Sequence, residues 1–293
     1  MGTSVTLTGT GVPHPSPGRA GPGALVRVDD IALQFDAGRG TVLRLVEAGL
    51  DQAHLAAIFV THVHSDHVVD LADVAMTRWI LQQLVTTGPL EIVVPRGAPE
   101  RFVQRMLEPF ADDIAVRMAH GQPGPPEIRV SSFDVPDAPR AVWTSPDGSV
   151  VVDAVGVHHE PVAEAVAYRI TSPAGRIVIS GDTRACREVE ELSQGADILV
   201  HEACRATALR DLVVGTRLEA IFDYHADTVA LGALAARAEV RHLVLTHLIP
   251  APNTPKQEQA FADDVRSGGF TGELTVGRDL LCFDVDAAAN ETH

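Results

Sequence analysis

Three histidines and one aspartate lie together in the stretch 62–67, which reads His-Val-His-Ser-Asp-His. The stretch follows the apolar run 55–60, which predicts a buried strand. Imidazole and carboxylate groups bind zinc, iron and nickel, and this many donors so close together exceed what one ion can use. Burying the imidazoles without a metal would be costly. The stretch therefore predicts two adjacent metal ions and hydrolysis by a hydroxide that they activate.

Further candidate donors follow other predicted strands. They are His158 or His159 after the strand at 150–157, Asp182 after the strand at 176–180, and His247 after the strand at 242–246. Catalytic side chains of layered sheet proteins gather at one end of the strands, so we expect these donors to meet the histidine stretch. The segments 58–62 and 243–247 are both apolar strands that end in Thr-His, which favours His247 as a ligand.

Short strands and amphipathic helices alternate over the rest of the chain. The other predicted strands are 4–8, 24–28, 31–35, 90–94, 165–171 and 198–201. The predicted helices are 41–48, 68–85, 100–110, 187–194 and 228–239. Segment 86–150 is rich in proline and is interpreted as a lid with one strand and one helix, where substrate contacts are expected.

Composition restricts the class of protein. The chain has 293 residues, of which 45% are hydrophobic, and this is typical of a globular protein. The net charge of −16 argues against non-specific binding of nucleic acid. Three scattered cysteines, Cys186, Cys204 and Cys282, argue against a disulfide framework, and we expect a cytoplasmic protein. Every apolar run is shorter than a membrane span, so we expect no membrane partner.

The combined motifs resemble the metallo-β-lactamase superfamily, and within it the ribonuclease Z and phosphodiesterase branch. Besides the donors, the resemblance rests on residues 8–11 (Thr-Gly-Thr-Gly), 35–40 (Phe-Asp-Ala-Gly-Arg-Gly), 201–203 (His-Glu-Ala) and 224–228 (Tyr-His-Ala-Asp-Thr). It extends from residue 4 to about residue 285. It implies a four-layer αββα sandwich, with residues 1–293 as a single hydrolase domain and 86–150 as a lid within it.

The resemblance also implies the ligand set. His62, His64 and His159 would hold one metal, Asp66, His67 and His247 would hold the other, and Asp182 and a hydroxide would bridge both. Two zinc ions are expected, with manganese or iron as alternatives that the donor types allow. The spacing to Glu160, Pro161 and Val162 favours His159 over His158, which stays an alternative. A homodimer is a further implication of the resemblance.

Three residues are candidates for proton transfer. Asp66 can accept the proton of the hydroxide, and His225 can protonate the leaving oxygen while Glu202 orients its ring. The alternatives are that Glu202 satisfies a helix start and that His225 is a surface cap. Asp36 is interpreted as a residue that orders a loop beside the site, not as a ligand.

Two departures from the branch bear on the substrate. Only a short hairpin separates His159 from Asp182, so the long arm of tRNA-processing members is absent. Residues 226–228 read Ala-Asp-Thr in place of the usual Ser-Thr, which adds a charge near the leaving group or simply caps a helix. We therefore expect hydrolysis of a compact anionic ester, above all a phosphodiester. Alternatives are an aryl sulfate, a lactone or another ester in the same site, tRNA 3′ processing, and a non-enzymatic binding scaffold.

Overall fold

Two seven-stranded sheets form the centre of the molecule. The structure is a computed structural model, and it describes residues 2–85 and 87–285. In order across the first sheet the strands are β14 (Cys282–Val285), β1 (Thr3–Gly9), β2 (Gly23–Val28), β3 (Ile31–Phe35), β4 (Leu55–Phe59), β5 (Leu90–Pro95) and β6 (Ile128–Phe133). In the second sheet they are β13 (Glu273–Val276), β12 (His242–Ile249), β11 (Ile198–Cys204), β10 (Gly175–Ile179), β9 (Val166–Ser172), β8 (Val151–Gly156) and β7 (Arg140–Thr144).

The helices connect these strands. They are α1 (Thr41–Glu47), α2 (Ser65–Val68), α3 (Leu71–Leu81), α4 (Ala98–Arg105), α5 (Ala111–Ala119), α6 (Arg187–Leu192), α7 (Ala206–Val213), α8 (Ile221–Tyr224), α9 (Thr228–Arg237) and α10 (Pro255–Ser267). Short 3-10 turns lie at Gln52–His54, Glu108–Phe110 and Arg217–Ala220. Within the described residues no helix is both long and apolar enough to cross a membrane.

Three apolar clusters define four layers. One cluster fills the space between the sheets, where Phe35, Phe59 and Tyr168 meet. A second joins the outer face of the first sheet to Leu45 of α1 and to α3 and α4. The third joins the second sheet to α6, α9 and α10. The predicted αββα sandwich is therefore confirmed.

The parallel parts of the two sheets set the position of the functional loops. Strands β3 to β6 pair in parallel, and so do strands β10 to β13. Parallel strands are buried on both faces and read as continuous apolar runs, as β4 and β10 do. Their carboxyl ends gather at one edge of each sheet, where loops are free to turn toward the other sheet.

The proline-rich segment differs from the prediction. It was expected to hold one strand, but it supplies β5 and β6 to the first sheet and β7 to the second, so it connects the sheets. The expected helix at 100–110 is α4, which ends at Arg105 before a separate 3-10 turn. The predicted limits at residues 1, 86 and 293 lie outside the described residues.

The helix predicted over 68–85 begins earlier and is divided. Residues 65–68 form α2, and α3 starts only at Leu71. Between them Asp70 adopts a φ of −90° and a ψ of 0°, and its carboxylate accepts a hydrogen bond from the Gly40 backbone at 2.7 Å. This contact from a distant segment sets a break that helical periodicity does not reveal.

A buried hydroxyl helps to join the second sheet to the loop that follows β4. The Tyr168 hydroxyl donates to the Val60 carbonyl at 2.7 Å, and the side chain is fully buried. We expect Tyr168→Phe to lower the free energy of unfolding by about 1–3 kcal/mol, because the carbonyl loses its buried donor. Urea denaturation measures the change. Tyr224→Phe is the matched control, since no hydrogen bond to its hydroxyl is found in the described part of the chain, and equal losses in both variants would contradict the assignment.

Candidate metal centre

The histidine stretch begins directly after β4 and faces the second sheet. The chain leaves the strand at Phe59 and enters the short helix α2 at Ser65. His62, Asp66 and His67 are almost completely buried, while His64 is exposed. Because β4 is an inner strand of its sheet, its end places these side chains away from the sheet's edge strands.

One group of donors combines this stretch with two loops of the second sheet. The donor atoms of His62, His64, His159 and Asp182 all lie within 4.8 Å of one another. The His64 Nδ1 is 3.1 Å from the Nε2 atoms of both His62 and His159. The Asp182 Oδ2 is 3.9 Å from the same two Nε2 atoms.

The second group uses the other half of the stretch. Asp66, His67 and His247 also place their donor atoms within 4.8 Å of one another. The His67 and His247 Nε2 atoms are 3.7 and 3.5 Å from the Asp66 Oδ2. Both are 3.3 Å from the Asp182 Oδ2, so one carboxylate oxygen stands between the two groups.

The donor atoms fit a pair of metal ions. Tetrahedral zinc with bonds of about 2.0–2.1 Å to nitrogen separates its ligand atoms by about 3.3 Å. The distances of 3.1 to 3.9 Å within the groups bracket this value. Moreover, the Asp66 Oδ2 and the Nε2 atoms of His67 and His247 are buried with no hydrogen-bond partner. Buried polar atoms need partners, and metal ions would supply them here.

Unusual backbone conformations place two of the predicted ligands. Gly181 has a φ of +60°, and a Cβ atom at this position would lie 2.8 Å from the Thr61 Cβ. Glycine therefore allows the loop after β10 to turn and present Asp182. His247 itself has a φ of +43°, which is rare for a residue with a side chain and persists where the surroundings impose it.

Asp36 organises the centre from outside the ligand set. Its carboxylate accepts hydrogen bonds from the Thr61 backbone and hydroxyl, at 2.8 and 2.7 Å. It also lies 2.7 Å from the His67 Nδ1. This contact assigns the proton to Nδ1 and leaves Nε2 free to bind a metal. The structure thus gives Asp36 the ordering role that the sequence predicts.

His225 and Glu202 form a buried pair beside the second group. The His225 Nδ1 is 2.8 Å from the Glu202 Oε1, and the His225 ring stacks on His247 with centroids 5.5 Å apart. Glu202 lies inside β11 and also accepts a hydrogen bond from the Thr183 backbone at 2.8 Å, so it does not start a helix. Burial opposes protonation, but the Glu202 carboxylate outweighs it and raises the pKa of His225 to about 9. Two bound dications would lower this pKa again.

The predicted ligands shift one another's pKa values. Burial, reinforced by the neighbouring His67, holds the pKa of His62 well below its usual range. Burial acts in the same direction on His67, but the Asp182 and Asp36 carboxylates hold its pKa well above that range. Burial likewise opposes the charged form of Asp182, yet His247 and His67 keep its pKa well below the usual value. A metal ion would take the place of these protons.

The remaining predicted residues have separate positions. His158 belongs to neither donor group and lies 3.2 Å from the Glu188 carboxylate. The Asp227 side chain accepts from the Val229 and Ala230 backbone and caps α9. Sequence reasoning included Tyr224 in a motif but missed the role of its carbonyl, which lies 3.1 Å from the His159 Nδ1. A backbone contact of this kind leaves no signature in residue types.

Comparison with known proteins defines the family. A family model described as Beta-lactamase superfamily domain matches residues 34–248. A protein named Ribonuclease Z from Mycobacterium bovis is 37% identical over 278 residues, which is 94% of this chain and 96% of that protein. Another from Mycolicibacterium paratuberculosis is 39% identical over 289 residues, 97% of this chain and 98% of that protein. The chain belongs to the β-lactamase superfamily, in its ribonuclease Z branch.

Solved structures show the same fold at lower identity. The metallo-β-lactamase fold protein YhfI from Bacillus subtilis superposes with a TM-score of 0.74 at 20% identity, over 97% of this chain and 100% of that one. The short form of human tRNase Z gives a TM-score of 0.68 at 22% identity, over 96% and 99% of the two chains. With this fold, this family and its paired donor groups, the chain is a phosphodiesterase-like, dinuclear metal-dependent hydrolase.

The contact between Asp36 and His67 can be tested through metal affinity. Asp36→Asn removes the negative charge and presents an amide that cannot accept every hydrogen bond now directed at the carboxylate. We expect metal affinity to fall roughly 10- to 100-fold, as is usual when a partner of a ligating histidine is lost. Titration of the metal-free protein against a competing chelator measures it. Asp134→Asn, at a side chain that is 73% exposed, is the control, and unchanged affinity in Asp36→Asn would contradict the role.

Proposed function

We propose that this protein hydrolyses phosphodiester bonds of RNA at a centre of two zinc ions. The observation that supports it most is the pair of donor groups joined at the Asp182 carboxylate, in a chain similar over nearly its whole length to proteins named Ribonuclease Z. Sequence analysis favoured a compact ester because the long arm is missing and the net charge is −16. The similarity to ribonucleases favours RNA over that smaller substrate.

The absence of a long arm does not weigh against RNA as such. The alignment with the Mycobacterium bovis protein spans 94% of this chain and 96% of that one, so neither holds a long segment that the other lacks. In this chain the hairpin of β9 and β10 occupies the interval between His159 and Asp182. Substrate contacts must therefore come from loops around the centre and not from a distant arm.

The ligand assignment follows the two groups. His62, His64 and His159 would hold one ion, and Asp66, His67 and His247 would hold the other, with Asp182 shared. Imidazole-rich sites with few carboxylates suit zinc better than magnesium or calcium. Bound dications would polarise a phosphoryl oxygen and supply a hydroxide nucleophile at neutral pH. Exposure of His64 leaves this side of the centre open to a substrate.

Three residues beside the metals, His225, Glu202 and Asp66, would donate, position or accept protons. His225 stands beside the second group with one ring nitrogen held by Glu202, so its other nitrogen is available to donate a proton to the leaving oxygen. Glu202 fixes the ring and favours its protonated form. With its Oδ2 atom at a metal ion, Asp66 would keep its other carboxylate oxygen to accept the proton of the attacking group.

A substrate panel tests the activity. The metal-loaded protein is assayed with a short unpaired RNA, an aryl phosphodiester, an aryl sulfate and a lactone, and each assay is repeated after removal of the metal. We expect RNA and the aryl phosphodiester to be cleaved, and both activities to disappear without metal and return with zinc. Turnover confined to the sulfate or the lactone would overturn the proposal, and restoration by manganese or iron alone would overturn the choice of zinc.

The role of His225 has a distinct kinetic signature. We expect His225→Ala to lower kcat on RNA by roughly 10²- to 10⁴-fold, because general acid catalysis contributes about that much. The same variant should lose far less on the aryl phosphodiester, whose leaving group needs little protonation. Metal content is measured in parallel, and His158→Ala serves as the control. Equal losses on both substrates, or loss of metal, would contradict the assignment.

A further inference from the structure

The ring of His247 lacks the hydrogen bond that orients the other buried histidines of the predicted ligand set. In His62, His67 and His159 the Nδ1 atom lies within 3.1 Å of an oxygen atom of the protein. The His247 Nδ1 atom is buried, and no hydrogen-bond partner for it is found among the described residues. Ring contacts with His67 and His225 remain, but the direction of the His247 side chain is set chiefly by the main chain that carries it.

That main chain is irregular at His247. The register of the parallel pairing between β11 and β12 shifts here. Thr246 and Leu248 lie opposite two consecutive residues of β11, so His247 has no opposite residue. An extra residue of this kind bends the strand and redirects its side chain. The φ of +43° at His247 persists only where the surroundings impose it, so contacts on the other side of β12 are needed.

The chain at the end of β1 supplies those contacts. The pairing of β12 with β13 ends before His247. The Thr246 hydroxyl donates a hydrogen bond to the Gly9 carbonyl at 3.4 Å. The Leu248 backbone donates to the Thr10 carbonyl, also at 3.4 Å, so one bond lies on each side of His247. Both bonds are long, and their persistence therefore depends on how firmly the segment 9–10 is held.

A buried carboxylate holds this segment. The Asp279 side chain is 4% exposed, and its Oδ1 atom accepts hydrogen bonds from the backbone and the hydroxyl of Thr10, at 3.0 and 2.7 Å. Its Oδ2 atom accepts from the Ala20 backbone at 2.6 Å and from the Arg44 guanidinium at 3.1 Å. The Arg19 guanidinium in turn donates to the Thr10 hydroxyl at 2.7 Å. Four donors thus converge on Asp279, and both carboxylate oxygens are needed to accept them.

We propose that Asp279 is a positioning residue for the second metal ion. Its carboxylate fixes Thr10, the segment 9–10 fixes the irregular part of β12, and that part presents His247. The inference rests on the ligand assignment made under the proposed function, in which His247 holds the second ion. None of the three histidines assigned to the first ion lies on these segments. Loss of the Asp279 carboxylate should therefore weaken one ion and spare the other, whereas a carboxylate that only stabilises the fold would not separate them.

NMR of the cadmium-loaded protein tests this, because each ion gives its own signal. Cadmium, a divalent ion of the zinc group, stands in for zinc. The signal that disappears in His247→Ala identifies the second ion. We expect Asp279→Asn to shift or broaden that signal and to leave the other unchanged, since an amide offers one acceptor oxygen to four donors. Chelator competition should give an affinity for the second ion that is about tenfold weaker, as when an outer partner of a metal ligand is lost.

Asp197→Asn is the matched control. The Asp197 side chain is 10% exposed and also accepts hydrogen bonds from a backbone N–H and an arginine. It lies directly before β11, at the opposite end of that strand from Glu202, and should leave both signals unchanged. Substitution of Thr10 gives a second comparison that keeps the Asp279 carboxylate. Thr10→Ser retains the hydroxyl and should preserve both signals, whereas Thr10→Val should change the signal of the second ion alone.

The outcomes separate this inference from the ligand assignment. Circular dichroism verifies that each variant is folded. Unchanged signals in Asp279→Asn and in Thr10→Val would overturn the inference, as would equal changes at both ions. If the wild type gives fewer than two signals, or if His247→Ala loses neither, the ligand assignment itself is wrong and the inference is wrong with it.

Discussion

The carboxylate of Asp182 stands at the point where the two sheets deliver their histidines. Its Oδ2 atom lies 3.3 Å from the Nε2 atoms of His67 and His247 and 3.9 Å from those of His62 and His159. His62 and His67 follow β4 of the first sheet, whereas His159 follows β8 and His247 lies in β12 of the second sheet. Their distances therefore depend on how the two sheets pack. The interface of Phe35, Phe59 and Tyr168 and the hydroxyl contact to Val60 thereby determine the geometry of the centre.

Two buried carboxylates outside the ligand set, Asp36 and Glu202, orient histidines of the site. Asp36 orients His67 from one side, Glu202 orients His225 from the other, and both carboxylates also hold backbone groups of the loops concerned. Such double contacts couple the orientation of each ring to the loop that carries it. Several buried donor atoms remain without a partner in this arrangement, which is the expected condition of a protein whose metal ions complete the hydrogen-bonding and charge balance.

The sequence predicted the centre of the fold better than its edges. The inner strands β4, β10 and β12 are mostly buried, and each contains an apolar run. The donors follow β4 and β10, and His247 lies near the end of β12. The four strands that sequence analysis did not predict, namely β6, β7, β13 and β14, are the edge strands of the two sheets. These edge strands are half-exposed or exposed along most of their length, which removes the apolar pattern that identifies a strand.

Contacts between segments that are distant in the sequence could not be predicted either. The candidate donors were predicted from their types and spacing, since metal binding restricts both, and the family resemblance supplied the proposed ligand set. The contact of Asp279 with Thr10 joins residues 269 positions apart, and no local pattern encodes it. The carbonyl of Tyr224 at His159 and the break at Asp70 arise in the same way, from backbone groups that any residue carries.

Metal stoichiometry tests the central claim most directly. Elemental analysis gives the number of metal ions per chain in the purified wild type and in Asp182→Asn. Far-UV circular dichroism verifies that both proteins are folded. The account predicts about two metal ions per wild-type chain, as in two-metal hydrolases, and a clear loss in the folded variant. One ion or none in the wild type after exposure to excess zinc, or two ions in the variant, would contradict it.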